Sequence, residues 1–152
     1  MAVRTLASEP HSTALAIDSL QASGRLRLRA DGTSMLPALR PGDVLDFETC
    51  THAQAQPGEV VLFRRDGRLV IHRVLARNAD GLLTQGDALA QPDAPVAAAD
   101  VLGRLVGQQR AGRAVPLSRP RRLRMTRWLF GRSTLAARLF LRWHRASART
   151  AA

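Results

Sequence analysis

The stretch Val60-Val61-Leu62-Phe63-Arg64-Arg65-Asp66-Gly67-Arg68-Leu69-Val70-Ile71-His72-Arg73-Val74-Leu75 decides the fold. An apolar run, residues 60–63, and a strand-like run, residues 69–75, in which only His72 and Arg73 are polar, flank Asp66-Gly67. Asp-Gly tolerates the positive φ angles of a tight two-residue turn, so this pattern reads as an antiparallel hairpin. The same grammar extends outward. Upstream, Pro57-Gly58-Glu59 marks the turn into the hairpin, and Pro41-Gly42-Asp43 precedes another strand through Val44, Leu45 and Phe47. Earlier still, Leu26 and Leu28 alternate with Arg25, Arg27 and Arg29, the signature of a strand with one buried face. Downstream, Gly81 opens Leu82-Leu83-Thr84, Gly86-Asp87 closes it, and Val101-Leu102-Gly103-Arg104-Leu105-Val106 forms a last strand. Short strands separated by Gly and Pro turns predict a mainly β body. Before it, residues 12–22 predict a short helix, with Ser12 as N-cap and Gly24 just past its end.

The chain has 152 residues, enough for one domain with an extension. Its charge divides it in two. All 12 acidic residues lie at or before Asp100, whereas residues 101–152 hold 13 arginines and no acid. The expected organisation is an N-terminal helical segment over residues 1–24, a β domain over 25–112 and a basic tail over 113–152. Within the tail, residues 120–146 predict an amphipathic helix. Met125, Trp128, Leu135, Leu139 and Trp143 share one face, and Arg124, Arg127, Arg138, Arg142 and Arg145 cluster beside it. That composition suits an anionic membrane surface, and equally a helix that packs on the body with its arginines solvated, or a contact with nucleic acid or an acidic partner.

The sequence contains no lysine. Chemistry that needs a side-chain amine is thereby excluded, because arginine does not release its proton at working pH. The single cysteine, Cys50, forms no disulfide within the chain and reads as a small buried residue. The four histidines and Cys50 show no metal-ligand spacing, so neither metal nor cofactor is expected. No apolar run is long enough to cross a membrane as a helix, and the N-terminus lacks a secretory h-region. The expected location is the cytoplasm, with peripheral membrane contact through the tail as the alternative.

Candidate chemistry centres on two residues. Ser34 follows the turn residues Gly32-Thr33 after the strand at 26–30, and Pro37 ends any regular continuation of that strand. A serine on such a turn can project its hydroxyl, and its own N–H can face an oxyanion. In Val70-Ile71-His72-Arg73-Val74, alternation puts Val70, His72 and Val74 on one face, an apolar setting suited to a general base. A histidine base works with a carboxylate that orients it. Asp87 and Asp93 are the acids nearby in sequence, and spacing alone makes neither of them special.

Taken in order, Gly32-Thr33-Ser34-Met35-Leu36-Pro37, Pro41-Gly42-Asp43, Pro57-Gly58-Glu59-Val60-Val61-Leu62-Phe63, Ile71-His72-Arg73-Val74, Gln85-Gly86-Asp87 and Leu102-Gly103-Arg104 resemble the signal peptidase I and LexA-type peptidase superfamily. The resemblance spans residues 25–107. It implies a β-rich catalytic body with Ser34 as nucleophile and a base in the strand at 71–74. One branch uses Ser and Lys. The archaeal and endoplasmic-reticulum branch uses Ser and His in a Val-His-Arg-Val-like strand, and the lysine-free chain resembles that branch. There an acid follows the Gly-Asp motif by six residues, which maps to Asp93, with Asp87 as second choice. The resemblance also implies an extended peptide or protein substrate with small side chains near the cleavage point, held beside Met35 and Pro37.

Two features depart from the pattern. The family often carries a serine two residues before the nucleophile, where its hydroxyl helps bind the oxyanion. Gly32 stands there, leaving the Ser34 N–H as the expected main donor. No N-terminal membrane anchor of the kind typical of signal peptidases is expected either. The expected function is therefore a serine endopeptidase, with a weak or inactive peptide-binding module on the same fold as the alternative. No specific nucleic-acid partner is expected, since the basic residues follow the body and no helix-turn-helix precedes it.

Overall fold

The computed structural model describes residues 4–5 and 10–117. They form one short helix and nine strands: β1 (Arg4–Thr5), α1 (Pro10–Ser23), β2 (Arg25–Arg29), β3 (Val44–Thr49), β4 (Val60–Arg65), β5 (Arg68–Arg77), β6 (Gly81–Gln85), β7 (Val96–Ala97), a 3-10 turn (Ala98–Asp100), β8 (Val101–Arg110) and β9 (Arg113–Ala114). The strands make one sheet in the order β1-β2-β3-β8-β4-β5-β6-β7, with β9 on β8. Only β1 and β2 run parallel; the other pairs are antiparallel. The fold is mainly β, as the turn and strand pattern predicts.

The β4–β5 hairpin closes at Asp66 (φ 49°) and Gly67 (φ 72°), so both turn residues adopt the left-handed conformation that Asp-Gly favours. β8 lies between β3 and β4 and joins the two halves of the sheet. Its Gly103 and Arg104 pair with Thr49 and Glu48 on one side and with Leu62 and Val61 on the other.

β4 explains why residues 60–63 are continuously apolar. Val60 and Leu62 enter one core cluster with Leu28, Leu45, Phe47 and Leu20 of α1, whereas Val61 and Phe63 enter a second with Val74, Leu82 and Val101. A strand buried on both faces has no polar alternation to show. β2, covered on one face, keeps it: Leu26 and Leu28 are buried and Arg25 and Arg29 are exposed.

The helix is longer than expected. It starts at Pro10, which places Ser12 inside the first turn rather than at the cap. Gly24 (φ 71°) ends it and donates its N–H to the Leu20 carbonyl. Ala16 and Leu20 pack into the first core cluster, so α1 and the sheet share a core. At the other end, the sheet continues through Arg113–Ala114. The strands β1, β7 and β9, two residues each, carry no periodicity from which to predict them. The amphipathic helix expected at residues 120–146 lies outside the described residues. Among the described residues, no helix is long and apolar enough to cross a membrane.

Asp43, the acid of Pro41-Gly42-Asp43, is a buried tie rather than a solvated turn residue, at 2% exposure. Its carboxylate accepts hydrogen bonds from the Arg40 N–H (2.8 Å), Gln108 Nε2 (2.8 Å) and Arg110 Nε and Nη2 (2.8 Å each). Gln108 Nε2 also donates to the Ala38 carbonyl at 3.0 Å. Two β8 side chains thus hold the loop that carries Ser34. Asp43→Ala is expected to destabilise the chain by about 2–3 kcal/mol, because it removes several hydrogen bonds to a buried charge. Urea denaturation measures the effect; a loss within error would show that the loop is held by other means.

Candidate active site

Ser34 sits in the loop joining β2 to β3. Its neck is closed by Ala30 N–H donating to the Asp43 carbonyl (2.8 Å) and Gly42 N–H donating to the Ala30 carbonyl (2.7 Å). Within the loop, Leu36 N–H donates to the Thr33 carbonyl and Leu39 N–H to the Met35 carbonyl. Met35 and Leu39 turn into the first core cluster and pin the loop to the sheet. Met35 is only 4% exposed, so its side chain packs in the core and does not line an open surface as expected of a substrate contact. Pro37 is exposed at the rim of the same turn.

A second segment fixes the Ser34 backbone. Ala88 N–H donates to the Ser34 carbonyl at 2.9 Å. A Cβ on Gly86 would stand 2.6 Å from that carbonyl oxygen, so only glycine allows this approach without displacement. Between them, Asp87 accepts Arg73 Nε (2.7 Å) and Nη2 (2.6 Å), and Arg73 Nη1 donates to the Gly58 carbonyl (2.8 Å). Asp87, the second choice for orienting His72, is therefore the counter-ion of a buried arginine. Strand alternation explains this: Arg73 and His72 are consecutive on β5 and point to opposite faces.

His72 lies in the middle of β5 opposite Val61 and is 7% exposed, with the Phe63 ring edge-on at 6.2 Å. Its Nδ1 is 2.6 Å from Asp93 Oδ2, and its Nε2 is 3.1 Å from Ser34 Oγ. An ionised carboxylate only accepts, so Nδ1 carries the proton that Asp93 receives. Nε2 is then the nitrogen free to accept from the Ser34 hydroxyl. Of the four candidate catalytic residues, the structure brings Ser34, His72 and Asp93 into one hydrogen-bonded line and puts Asp87 elsewhere.

The chain belongs to the Peptidase S24-like family. The family model matches residues 4–106, a span that contains the whole Ser34–His72–Asp93 line. This is a family of the LexA and signal peptidase I type, in keeping with the order of motifs in the sequence. No curated protein matches the chain.

Sequence reasoning misses two residues around this S24-like site, Thr84 and Arg65, both of which act on Asp93. Asp93 lies between β6 and β7, and its N–H donates to the Thr84 carbonyl at 2.8 Å. Thr84 Oγ1 also donates to Asp93 Oδ2 at 2.7 Å, and Arg65 Nη1 approaches Oδ1 at 3.9 Å. Arg65 stacks over Phe63, 5.1 Å from the ring centroid. Neither Thr84 nor Arg65 carries a sequence signal, because each acquires its role only through the pairing of its strand. Among the described residues, no group of His, Cys, Asp and Glu is arranged to hold a metal. Cys50 is buried, and burial pushes its thiol pKa up, with Arg104 opposing and Glu59 and Glu48 reinforcing the rise.

Burial alone would raise the Asp93 pKa. Hydrogen bonds from His72 and Thr84, with the charges of His72 and Arg65, outweigh burial and hold the carboxyl below its ordinary value. A depressed folded-state pKa contributes stability that is present above the unfolded value, about 3.9, and lost as pH falls through the folded value. The wild-type chain is expected to lose stability below about pH 4, and Asp93→Asn to flatten part of that decline. Denaturation midpoints from pH 2 to 6 read this out; parallel curves for the two proteins would count against it.

Proposed function

We propose that this S24-like protein is a serine endopeptidase of the Ser–His type. Ser34 is the nucleophile, His72 the general base and Asp93 the group that orients and stabilises the imidazole. The observation that carries this reading is the unbroken line Ser34 Oγ–His72 Nε2 at 3.1 Å and His72 Nδ1–Asp93 Oδ2 at 2.6 Å. Both separations lie within the range needed for proton transfer.

In the proposed reaction, His72 Nε2 takes the Ser34 proton as Oγ attacks a peptide carbonyl. The tetrahedral oxyanion is met by the Ser34 N–H, which none of the loop's own hydrogen bonds uses. His72 gives its proton to the departing amine, and an acyl-enzyme forms at Ser34. Water then donates a proton to His72 and attacks the ester, and His72 returns that proton to Ser34 Oγ as the carboxyl product leaves. The proposed substrate is an extended peptide or protein segment with small side chains at the cleavage point.

Gly32 limits this chemistry. A Cβ at Gly32 would meet nothing within 4 Å, so the position is open and carries no hydroxyl donor. Loss of one oxyanion donor costs about 10²–10³ in kcat in a serine peptidase that has it. Gly32→Ser is expected to recover part of that, at least about threefold, in the rate of acylation. An unchanged or lower rate would place the oxyanion elsewhere.

The activity itself is tested with a mixture of unstructured peptides. New termini after small residues, formed by the wild type and absent with Ser34→Ala, are the expected result. Peptides retained without new termini would favour a peptide-binding module, the reading that Gly32 otherwise supports.

A further inference from the structure

We propose that Thr84 is a positioning residue for this chemistry: its hydroxyl locks the Asp93 carboxylate onto His72. The inference rests on the Ser34–His72–Asp93 reading and adds the residue on which the alignment of that line depends.

Asp93 belongs to the irregular stretch between Gln85, the last residue of β6, and Val96, the first of β7. No strand ladder fixes its backbone. Residue 84 holds it at two points instead. The Thr84 carbonyl accepts the Asp93 N–H at 2.8 Å, and the Thr84 hydroxyl meets Asp93 Oδ2 at 2.7 Å. A carboxylate only accepts, so Thr84 is the donor. Backbone and side-chain bonds to one residue close a ring that sets both the position and the rotation of the Asp93 carboxylate.

The two carboxylate oxygens are held unequally. Oδ2 receives two short hydrogen bonds, from His72 Nδ1 at 2.6 Å and from Thr84 at 2.7 Å. Oδ1 faces Arg65 Nη1 at 3.9 Å, too long for a hydrogen bond, while Arg65 Nη2 donates to the Ala94 carbonyl. Without the Thr84 hydroxyl, rotation of the carboxylate toward the Arg65 guanidinium shortens the existing 3.9 Å ion pair and draws Oδ2 off Nδ1. The imidazole then loses the partner that keeps its proton on Nδ1. Thr84 is fully buried and pairs with Val74 across the β5–β6 ladder, so its backbone is fixed. Its β-branch restricts χ1, which keeps the hydroxyl aimed at Asp93.

The test compares the full chain as wild type, Thr84→Val and Thr84→Ser. Valine keeps the shape and deletes the donor; serine keeps the donor and deletes a buried methyl group. The readouts are the second-order rate of fluorophosphonate labelling at Ser34, the low-field proton resonance of His72 Nδ1–H, and the thermal midpoint. Thr84→Val is expected to slow labelling about ten- to a hundredfold, the effect of losing one charge-assisted hydrogen bond, and to shift or broaden the resonance. Thr84→Ser is expected to stay within about threefold of wild type in rate, with the resonance kept, even where its midpoint falls. A Thr84→Val chain with wild-type labelling and an unmoved resonance overturns the proposal. So does a pattern in which both variants slow in step with their loss of thermal stability. If the wild type is not labelled at Ser34, the peptidase reading fails, and the resonance alone still decides on Thr84. Displacement in Thr84→Val with rescue in Thr84→Ser supports the positioning role; no displacement overturns it.

Discussion

Ser34→Ala is expected to leave the fold unchanged and to reduce peptide hydrolysis by about 10⁴-fold or more. The size of the effect follows from the proposed role, because no other group replaces the oxygen that forms the acyl-enzyme. The structural cost is small. Ser34 is half-buried in a loop held by its neighbours: Met35 and Leu39 in the core, Ala88 on its carbonyl, and Asp43 with Gln108 and Arg110 at the loop's end. None of these ties uses the Ser34 hydroxyl. Peptide cleavage and the far-UV spectrum, measured on the same preparation, separate loss of chemistry from loss of fold. Residual cleavage at a tenth of the wild-type rate would remove Ser34 from the nucleophile role.

His72→Ala is expected to have an effect of the same order, and the double variant with Ser34→Ala no larger effect than either single change. Groups that act as one unit fail together, so the two losses do not add. The geometry gives the reason. Nε2, 3.1 Å from Ser34 Oγ, is the proton acceptor in the line, and Asp93 is in contact with Nδ1 on the far side of the ring. Without the imidazole the serine stays protonated at neutral pH, and the departing amine receives no proton. Rates that multiplied in the double variant would show two residues contributing to activity by separate routes.

The sequence and the structure agree most closely where physics is local. Asp66-Gly67 is read as a tight turn because its backbone preference is intrinsic, and both residues take positive φ. β2 is legible because one face is covered and the other solvated. The candidates Ser34 and His72 come from the order of motifs, and Asp93 only from the resemblance, in which an acid follows the Gly-Asp motif by six residues. What is not legible depends on strand register. Nothing in the sequence marks Arg73 as buried, yet it is, and it pairs with Asp87. That pairing needs β5 to present Arg73 opposite His72 and the loop after β6 to fold back over it. Met35 reads as a substrate contact because it adjoins Ser34, whereas the turn directs it into the core. Thr84 and Arg65 reach Asp93 from strands on either side of β5, a convergence that no linear spacing announces. Gly86 shows in sequence as a turn residue; its close approach to the Ser34 carbonyl is a tertiary fact.

The proposed function depends above all on activation of Ser34 by His72. Because the substrate is a proposal, the most direct measurement is one that needs none: treatment of the full chain with a fluorophosphonate, followed by mass mapping of the modified residue. Expected is a single adduct on Ser34, formed by the wild type and lost in His72→Ala. An adduct on a different residue, or equal modification of Ser34 with and without His72, would contradict the account.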